Sequence, residues 1–390
     1  MYVHFGIDQL LELNPTWKKE RIGLITNEAA TTNQGEASRK KLQEAGYNLV
    51  KLFSPEHGLS ATGADGEAMH DGFDELTDLP IISLYGKKLA PGEEDLYELD
   101  LLLFDVPDTG VRFYTYLSTL TYALEACAAA GKRIIVLDRP NPISGKMELV
   151  EGPFLEEAAA SFIGRWPMPV RHSCTLGELA RYFNASEQIG AELEIIPCIN
   201  WNRDSFQPDW GSAFVPTSPA IQSFESMLLY PGLCFFEATN LNEGRGTDFA
   251  FQVIGAPWLN NNKTLAAQLN SLMNEDLHTE AIIYLPTTHQ YAGEQCKGLR
   301  FSVKDPGEFK PVFFGMLLLK MIKDSFPRDF SWHTYKTSVN PNGHKHLDKL
   351  LGIPDSEALY ELAFPEFLRR ITQLTATPSW KNEVEPWLLY

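Results

Sequence analysis

Short apolar runs recur through the first 140 residues: Ile22-Gly23-Leu24-Ile25-Thr26, Leu49-Val50-Lys51-Leu52-Phe53, Ile81-Ile82-Ser83-Leu84, Leu101-Leu102-Leu103-Phe104-Asp105-Val106 and Ile134-Ile135-Val136-Leu137-Asp138. Their near-continuous hydrophobicity is what a parallel strand covered on both faces requires, and each run ends at a polar loop. Between the last two, Thr119 to Ala130 sets Leu120, Ala123, Leu124, Cys127 and Ala128 at helical spacing and stops at Gly131. Residues 33–45 are read as the corresponding helix between the first two strands, and Leu176 to Phe183 as a further one. This alternation predicts an α/β fold, a Rossmann-like, doubly wound and mostly parallel sheet. Ligands of such sheets bind beyond the carboxyl ends of the strands, which directs attention to the loops starting at Asn27, Ser54, Tyr85, Pro107 and Arg139.

After Glu194-Ile195-Ile196-Pro197 the texture changes to Trp, Pro and Asn with turn signals. A junction is placed between 220 and 230, giving a Rossmann-like catalytic domain over 1–225 and a smaller α+β domain over 226–390 that completes the cleft. In the second part, Phe249-Ala250-Phe251-Gln252-Val253-Ile254 and Leu299-Arg300-Phe301-Ser302-Val303 read as strands. Helices are expected near 262–274, 311–324 and, closing the chain, 344–374. A length of 390 residues suits two domains better than one core. Formal charge is −18, from 33 Lys plus Arg against 51 Asp plus Glu, which argues against a nucleic-acid partner. A small anionic ligand stays compatible, because a few cations in a pocket dominate at short range. No apolar stretch is long enough to span a bilayer, and no basic-then-apolar leader opens the chain, so a cytoplasmic location without membrane contact is expected. Five scattered cysteines without a C-x-x-C pair fit a reducing compartment and argue against a disulfide framework or zinc ribbon.

The densest local signal is Ser54-Pro55-Glu56-His57-Gly58, a carboxyl and an imidazole directly after a buried strand, between residues that fix the backbone path. Glu56 could merely cap the next helix; beside apolar walls its pKa would instead rise, as a general acid needs. Asp108, Arg112 and Tyr114 share the loop after the fourth run, where an Asp108–Arg112 staple competes with ligand binding. Arg139 and Asn141 follow the fifth. Glu237, Asn240, Glu243 and Arg245 crowd the stretch from Phe236 to Asp248, with Arg245 between Gly244 and Gly246. Arg171-His172 reads as a contact at a helix start, and His344-Lys345-His346 as exposed surface. No G-x-G-x-x-G after the first strand, Walker A, H-E-x-x-H or G-x-S-x-G pattern occurs, so neither a dinucleotide cofactor nor a metal is expected.

Taken in order, Ile22 to Asn27, Ser54 to Leu59, Phe104 to Tyr116, Asp138 to Gly145, Arg171-His172 with Thr175 to Ala180, and Phe236 to Pro257 resemble the DUF1343 family, which includes the NamZ-type exo-β-N-acetylmuramidases. Ser-Pro-Glu-His-Gly and Asn-Leu-Asn-Glu-Gly-Arg-Gly-Thr carry most of the likeness, over nearly the whole chain. The chain departs from the family pattern at Ala238 and Asn242, and at Ser173 and Cys174. The resemblance implies a glycosidase that removes terminal N-acetylmuramic acid from the non-reducing end of peptidoglycan fragments during cell-wall turnover. Glycoside hydrolysis normally takes two carboxyl groups. Glu56 would then be the acid, with His57 beside it. The second role would fall to Glu237 or Glu243, or to the substrate's own acetamido group. Arg245 and Arg112 are the candidates for the lactyl carboxylate, and Asn240, Asn141 and Tyr114 for hydroxyls or the acetamido group. Asn27, Asp108 and Arg139 complete the expected substrate-binding set. The alternative from another class is a non-catalytic amino-sugar-binding or regulatory module on the same fold.

Overall fold

The computed structural model describes residues 2–273 and 276–390. Its larger sheet holds β1 (Ile22–Thr26), β2 (Leu49–Ser54), β3 (Gly72–Asp74), β4 (Leu79–Ser83), β5 (Leu101–Asp105), β6 (Arg133–Leu137) and β7 (Leu193–Ile196), in the order β3-β4-β2-β1-β5-β6-β7. Only the β3–β4 pair is antiparallel. Setting β3 aside, the order is that of a doubly wound sheet whose direction of winding reverses between β1 and β5. A smaller antiparallel sheet, β8-β10-β9, is built from β8 (Val253–Ala256), β9 (Leu277–Tyr284) and β10 (Cys296–Val303).

The helices are α1 (Gly6–Leu13), α2 (Ser38–Glu44), α3 (Glu93–Tyr97), α4 (Tyr116–Ala130), α5 (Leu176–Ser186), α6 (Phe224–Leu233), α7 (Asn262–Leu272), α8 (Pro311–Ser325), α9 (His346–Leu351), α10 (Ser356–Leu359), α11 (Phe364–Thr375) and α12 (Pro378–Val384). Among the described residues no helix is long and apolar enough to cross a membrane.

The unbroken hydrophobicity of β1, β5 and β6 has a direct cause: successive side chains point to opposite faces, and both faces are covered. Leu102, Phe104, Ile134 and Val136 enter one apolar cluster, while Leu101, Leu103, Ile135 and Leu137 enter the other with Ile7 and Leu10 of α1. The first cluster continues through α4, α6 and α8 to Ile371 and Trp380, so one core runs between the two sheets. Helices α6 and α8 touch backbone to backbone. A Cβ on Gly232 would lie 2.0 Å from the Pro311 carbonyl oxygen, and one on Gly315 would lie 2.4 Å from the Gly232 Cα. The chain end folds back on the larger sheet, where the Tyr390 hydroxyl donates to Asp138 Oδ2 (2.7 Å) and the Trp380 indole N–H donates to the His172 carbonyl (2.9 Å).

Several sequence expectations need correction. The helix expected over 33–45 begins only at Ser38, because Thr31 bridges Ala37 and Gly35 closes a turn on the Thr32 carbonyl. Helix α4 starts three residues before Thr119, at Tyr116. Of 249–254 only Val253 and Ile254 are in a strand; Phe251 has φ of 56°, and its N–H turns back onto the Glu243 carbonyl. The helices expected over 344–374 are present as α9, α10 and α11, the first of them ending at Gly352, which holds φ of 78°. The C-terminal end of the 262–274 expectation, residue 274, lies outside the described residues.

Candidate active site

Strand β2 ends at Ser54, and the next four residues turn sharply. Gly58 N–H bonds back to the Pro55 carbonyl, and His57 takes a left-handed backbone with φ of 67°, a conformation a non-glycine residue holds only under constraint. The constraint is reciprocal: His57 Nδ1 lies 2.9 Å from the Gly63 carbonyl oxygen, and Gly63 N–H donates to the His57 carbonyl at 3.0 Å. With Nδ1–H held by a carbonyl, neutral His57 presents Nε2 as an acceptor. Closing residues 57–63 into this loop brings the following turn back over Glu56, whose Oε1 accepts the Gly66 N–H at 3.0 Å. Glu56 is only 6% exposed. Burial pushes its carboxyl above the usual range and the nearby Asp65 adds to this, while His57 and the Thr115 and Tyr85 hydroxyls oppose it.

Opposite Glu56 sits a buried ion cluster centred on Arg245. Its Nη2 contacts Glu237 Oε1 at 2.7 Å and Asp65 Oδ2 at 3.1 Å, and its Nη1 contacts Glu243 Oε1 at 2.6 Å. Glycines on both sides make the approach possible: Gly244 and Gly246 hold φ of 87° and 82°, and a Cβ at either would collide with neighbouring backbone. The other oxygen of Glu237 meets His346 Nε2 at 2.8 Å, and the His346 ring stacks on Tyr335 with centroids 4.5 Å apart. The Tyr335 hydroxyl donates to Asp65. Burial alone would raise Asp65, yet Arg245, His57 and Tyr335 outweigh it and hold the carboxyl down to about 2. Burial likewise works against charge on Arg245, and the surrounding carboxylates keep it protonated well above its ordinary range.

These groups line a cavity of about 80 Å³ between the loops after β2, β4 and β5, the segment following α6 and the α9 region. Glu56, His57, Tyr114, Glu237 and Arg245 all reach it, so five residues expected from the sequence converge. Tyr114 donates its hydroxyl to Thr217 Oγ1 at 2.9 Å. Glu243 stands behind Arg245 and does not line the cavity.

The remaining expected residues do other work. Arg112 is fully buried, with Nη1 donating to the Pro153 and Met168 carbonyls (2.8 and 2.9 Å) and Nη2 to that of Leu350 (2.7 Å); burial without an acid partner pulls it down to about 9. It is neither stapled to Asp108 nor open to a ligand. Asn27 bonds Tyr116 and the Ala29 N–H, Asn141 bonds Cys174 and Ile143, and Asn240 bonds Asp329 and Ser331, each with both ends of its amide. Arg139 grips Asp105 at 2.6 Å and, with Asp108, borders a separate cavity of about 240 Å³ at the point where the winding reverses. His346 overturns the surface reading of its motif, for it is buried while His344 is exposed.

Sequence reasoning missed Asp65, Tyr85, Thr115, Tyr335, His346 and Lys349, all of which line the cavity. Tyr85 and Thr115 lie in loops that the strand-end rule had singled out. Asp65, nine residues after Glu56, carried a weak signal in Gly63-Ala64-Asp65-Gly66. Glu56, His57 and Asp65 each offer a ligand atom, all within 4.8 Å of one another. The Arg245 guanidinium on Asp65, the Gly66 N–H on Glu56 and the Gly63 carbonyl on His57 Nδ1 hold the three side chains together as a hydrogen-bonded acid cluster.

Comparison with known proteins places this geometry. Sequence profiles of exo-β-N-acetylmuramidase NamZ match the chain with the N-terminal part over residues 22–225 and the C-terminal part over 228–390. The peptidoglycan β-N-acetylmuramidase NamZ of Bacillus subtilis (strain 168) is 40% identical over 335 residues, covering 85% of this chain and 80% of that protein. Crystal structures of two DUF1343 family proteins from Bacteroides fragilis NCTC 9343 superpose with TM-scores of 0.87 and 0.77 at 27% and 26% identity, each pairing covering 100% of this chain and 99% of the other. The chain belongs to the exo-β-N-acetylmuramidase NamZ family.

Proposed function

We propose that the protein is a glycosidase releasing terminal N-acetylmuramic acid from the non-reducing end of peptidoglycan fragments in cell-wall recycling, with Glu56 as the proton donor. The observation that carries this reading is a pair of neighbouring carboxyl groups driven apart in acidity. Burial and Asp65 keep Glu56 protonated above the usual range, while Arg245 and Tyr335 keep Asp65 ionised down to about 2. Such a split divides the roles of acid and charge stabiliser between two similar side chains.

Glu56 delivers its proton to the leaving oxygen. Both oxygens of Glu237 are engaged, by Arg245 and His346, and Glu243 lies behind the guanidinium, so neither is free to attack. The substrate's 2-acetamido oxygen is the nucleophile on this reading. Ionised Asp65 orients its N–H and balances the positive charge that develops. Acid and partner this close leave no room for an inverting water, which supports retention of configuration. Arg245 acts as a positioning residue, since three carboxylates already occupy it. The lactyl carboxylate of muramic acid falls instead to Lys349, which lines the cavity and forms no ion pair among the described residues, its ammonium donating only to the His344 carbonyl at 3.1 Å.

On the same reading residues 1–225 supply the proton donor and 226–390 close the cleft over it. The five unpaired, buried cysteines support work in a reducing, cytoplasmic setting. Glu56→Gln should lower kcat on a chromogenic N-acetylmuramide about 10²–10⁴-fold while the fold is retained. Near-normal turnover in that variant would refute the assignment. Sugar binding by the wild type without release would favour a non-catalytic amino-sugar module.

A further inference from the structure

The cavity around Glu56 has a second compartment. Past His57, Asp65, Ala220 and Arg245, which border both spaces, the site opens into a groove of about 820 Å³. Its far wall is Phe249 with the end of β9 and the segment after it, through Ile283, Leu285 and His289. The two spaces differ in size. The inner one is about 80 Å³; the outer one, about tenfold larger, falls within the size range of ligand sites.

We propose that this groove is the leaving-group subsite, which receives the amino sugar on the reducing side of the scissile bond and the first part of whatever saccharide follows it. The inference rests on the functional reading above and deepens it. Four observations place it there. The residues shared between the two spaces include His57 and Asp65, the immediate neighbours of the proton donor, so the oxygen to be protonated lies at the boundary. Ile283 and Leu285 are 60% and 55% exposed, an unusual degree for large aliphatic side chains two residues apart along one strand end. Together with half-buried Phe249 they form an apolar wall suited to the C–H face of a pyranose, while Thr247, Asp248, Thr287, Thr288 and His289 surround it with hydrogen-bonding groups.

The groove is also held in shape. Gly246 presses directly on the backbone of Thr287 and Thr288, where an added Cβ would come within 2.6 Å of the Thr288 carbonyl oxygen. Its carbonyl accepts both the N–H and the hydroxyl of Thr287 at 2.8 Å. The wall is thereby tied to the same loop that carries Arg245. A second groove of about 770 Å³ also touches His57, but it shares neither Asp65 nor Arg245 with the inner cavity and is walled by the charged groups of Glu28, Arg39, Asp74 and Glu75. Its own exposed apolar side chains, Phe73 and Leu76, stand among these charges and are not tied to the loop that carries Arg245.

The test compares two leaving groups. For wild type and for Leu285→Ser, whose site is exposed and outside any core cluster, kcat/KM is measured on the β-1,4-linked N-acetylmuramic acid–N-acetylglucosamine disaccharide and on N-acetylmuramyl fluoride, whose leaving group cannot reach the groove. Ile283→Ser serves as the second variant. The ratio of disaccharide to fluoride activity should fall at least about tenfold, mainly through KM. An unchanged ratio in both variants, with the wild type active on both substrates, would overturn the groove assignment alone. A wild type that releases muramic acid from neither substrate would overturn the functional reading and this inference with it.

Discussion

At the scale of single residues, the chemistry of the cavity turns on which ionisable groups are already partnered. Glu56 has a raised carboxyl, so its useful form is the protonated one and persists to higher pH than an ordinary glutamate allows. Activity on substrates with a poor leaving group should therefore fall as pH rises through that raised value, and Glu56→Gln should abolish this alkaline limb; a limb that persists in the variant would assign it to another group. The stability consequence has the same origin. A carboxyl raised in the folded state contributes stability below its unfolded pKa and loses it as pH rises through the folded one. At neutral pH Glu56→Gln should thus melt at or above the wild-type temperature. Lys349→Met should raise KM for an N-acetylmuramide about 10–100-fold, the worth of a charge-assisted contact, with little effect on an N-acetylglucosaminide. Lys349→Arg should restore most of the loss, and equal effects on both sugars would remove Lys349 from lactyl recognition. Glu56 and His57 were legible because their signal is local, a turn directly after a buried strand. Arg112 was misread because sequence does not distinguish a guanidinium aimed at ligand from one enclosed by the carbonyls of Pro153, Met168 and Leu350. The Tyr335–Asp65 partnership spans 270 positions, so no local pattern could reveal it.

At the scale of elements, two junctions hold the site. The contact of α6 with α8 at Gly232 and Gly315 sets the direction of the segment carrying Glu237. Gly315→Ala should force the helices apart and cost about 1–3 kcal/mol in denaturant unfolding, with a loss of activity beyond what the fraction unfolded explains. The second junction is Asp138, which receives the Thr175 hydroxyl, the Gly177 N–H and the Tyr390 hydroxyl, joining β6, the start of α5 and the chain end. Burial is the largest influence on Asp138 and pushes it up to about 6. Its contribution is full below the ordinary value of 3.8 and is lost as pH rises through about 6. Asp138→Asn should flatten the melting temperature between those limits, and an unaltered pH dependence would exclude this role. The buried central strands were readable because apolar residues on both faces leave a continuous run. Strands β3 and β7 were not, because edge positions half exposed to solvent carry no such run. The overlong reading of α2 has a similar cause: the bridge between Thr31 and Ala37 is a pairing that helical periodicity ignores.

At the scale of the whole molecule, one apolar core joins the two sheets, and a single cavity takes Glu56 and Asp65 from one side and Glu237 and Arg245 from the other. The formal charge of −18 should make the fold more stable as ionic strength rises from low values, since self-repulsion is screened within a Debye length of about 8–10 Å at physiological salt. The doubly wound order was legible from strand–helix alternation, and the loops around the cavity from the strand-end rule. The contribution of α9 was not, because His346 and Lys349 join the site only through tertiary packing that Arg112 fixes at Leu350. The measurement that bears most directly on the central claim is the product formed when the purified protein and its Glu56→Gln variant are incubated with the N-acetylmuramic acid–N-acetylglucosamine disaccharide and followed by NMR. The wild type should release free N-acetylmuramic acid, first as the β-anomer, while the folded variant releases it at least about a hundredfold more slowly. Release at comparable rates by both proteins, or none by either, would contradict the assignment.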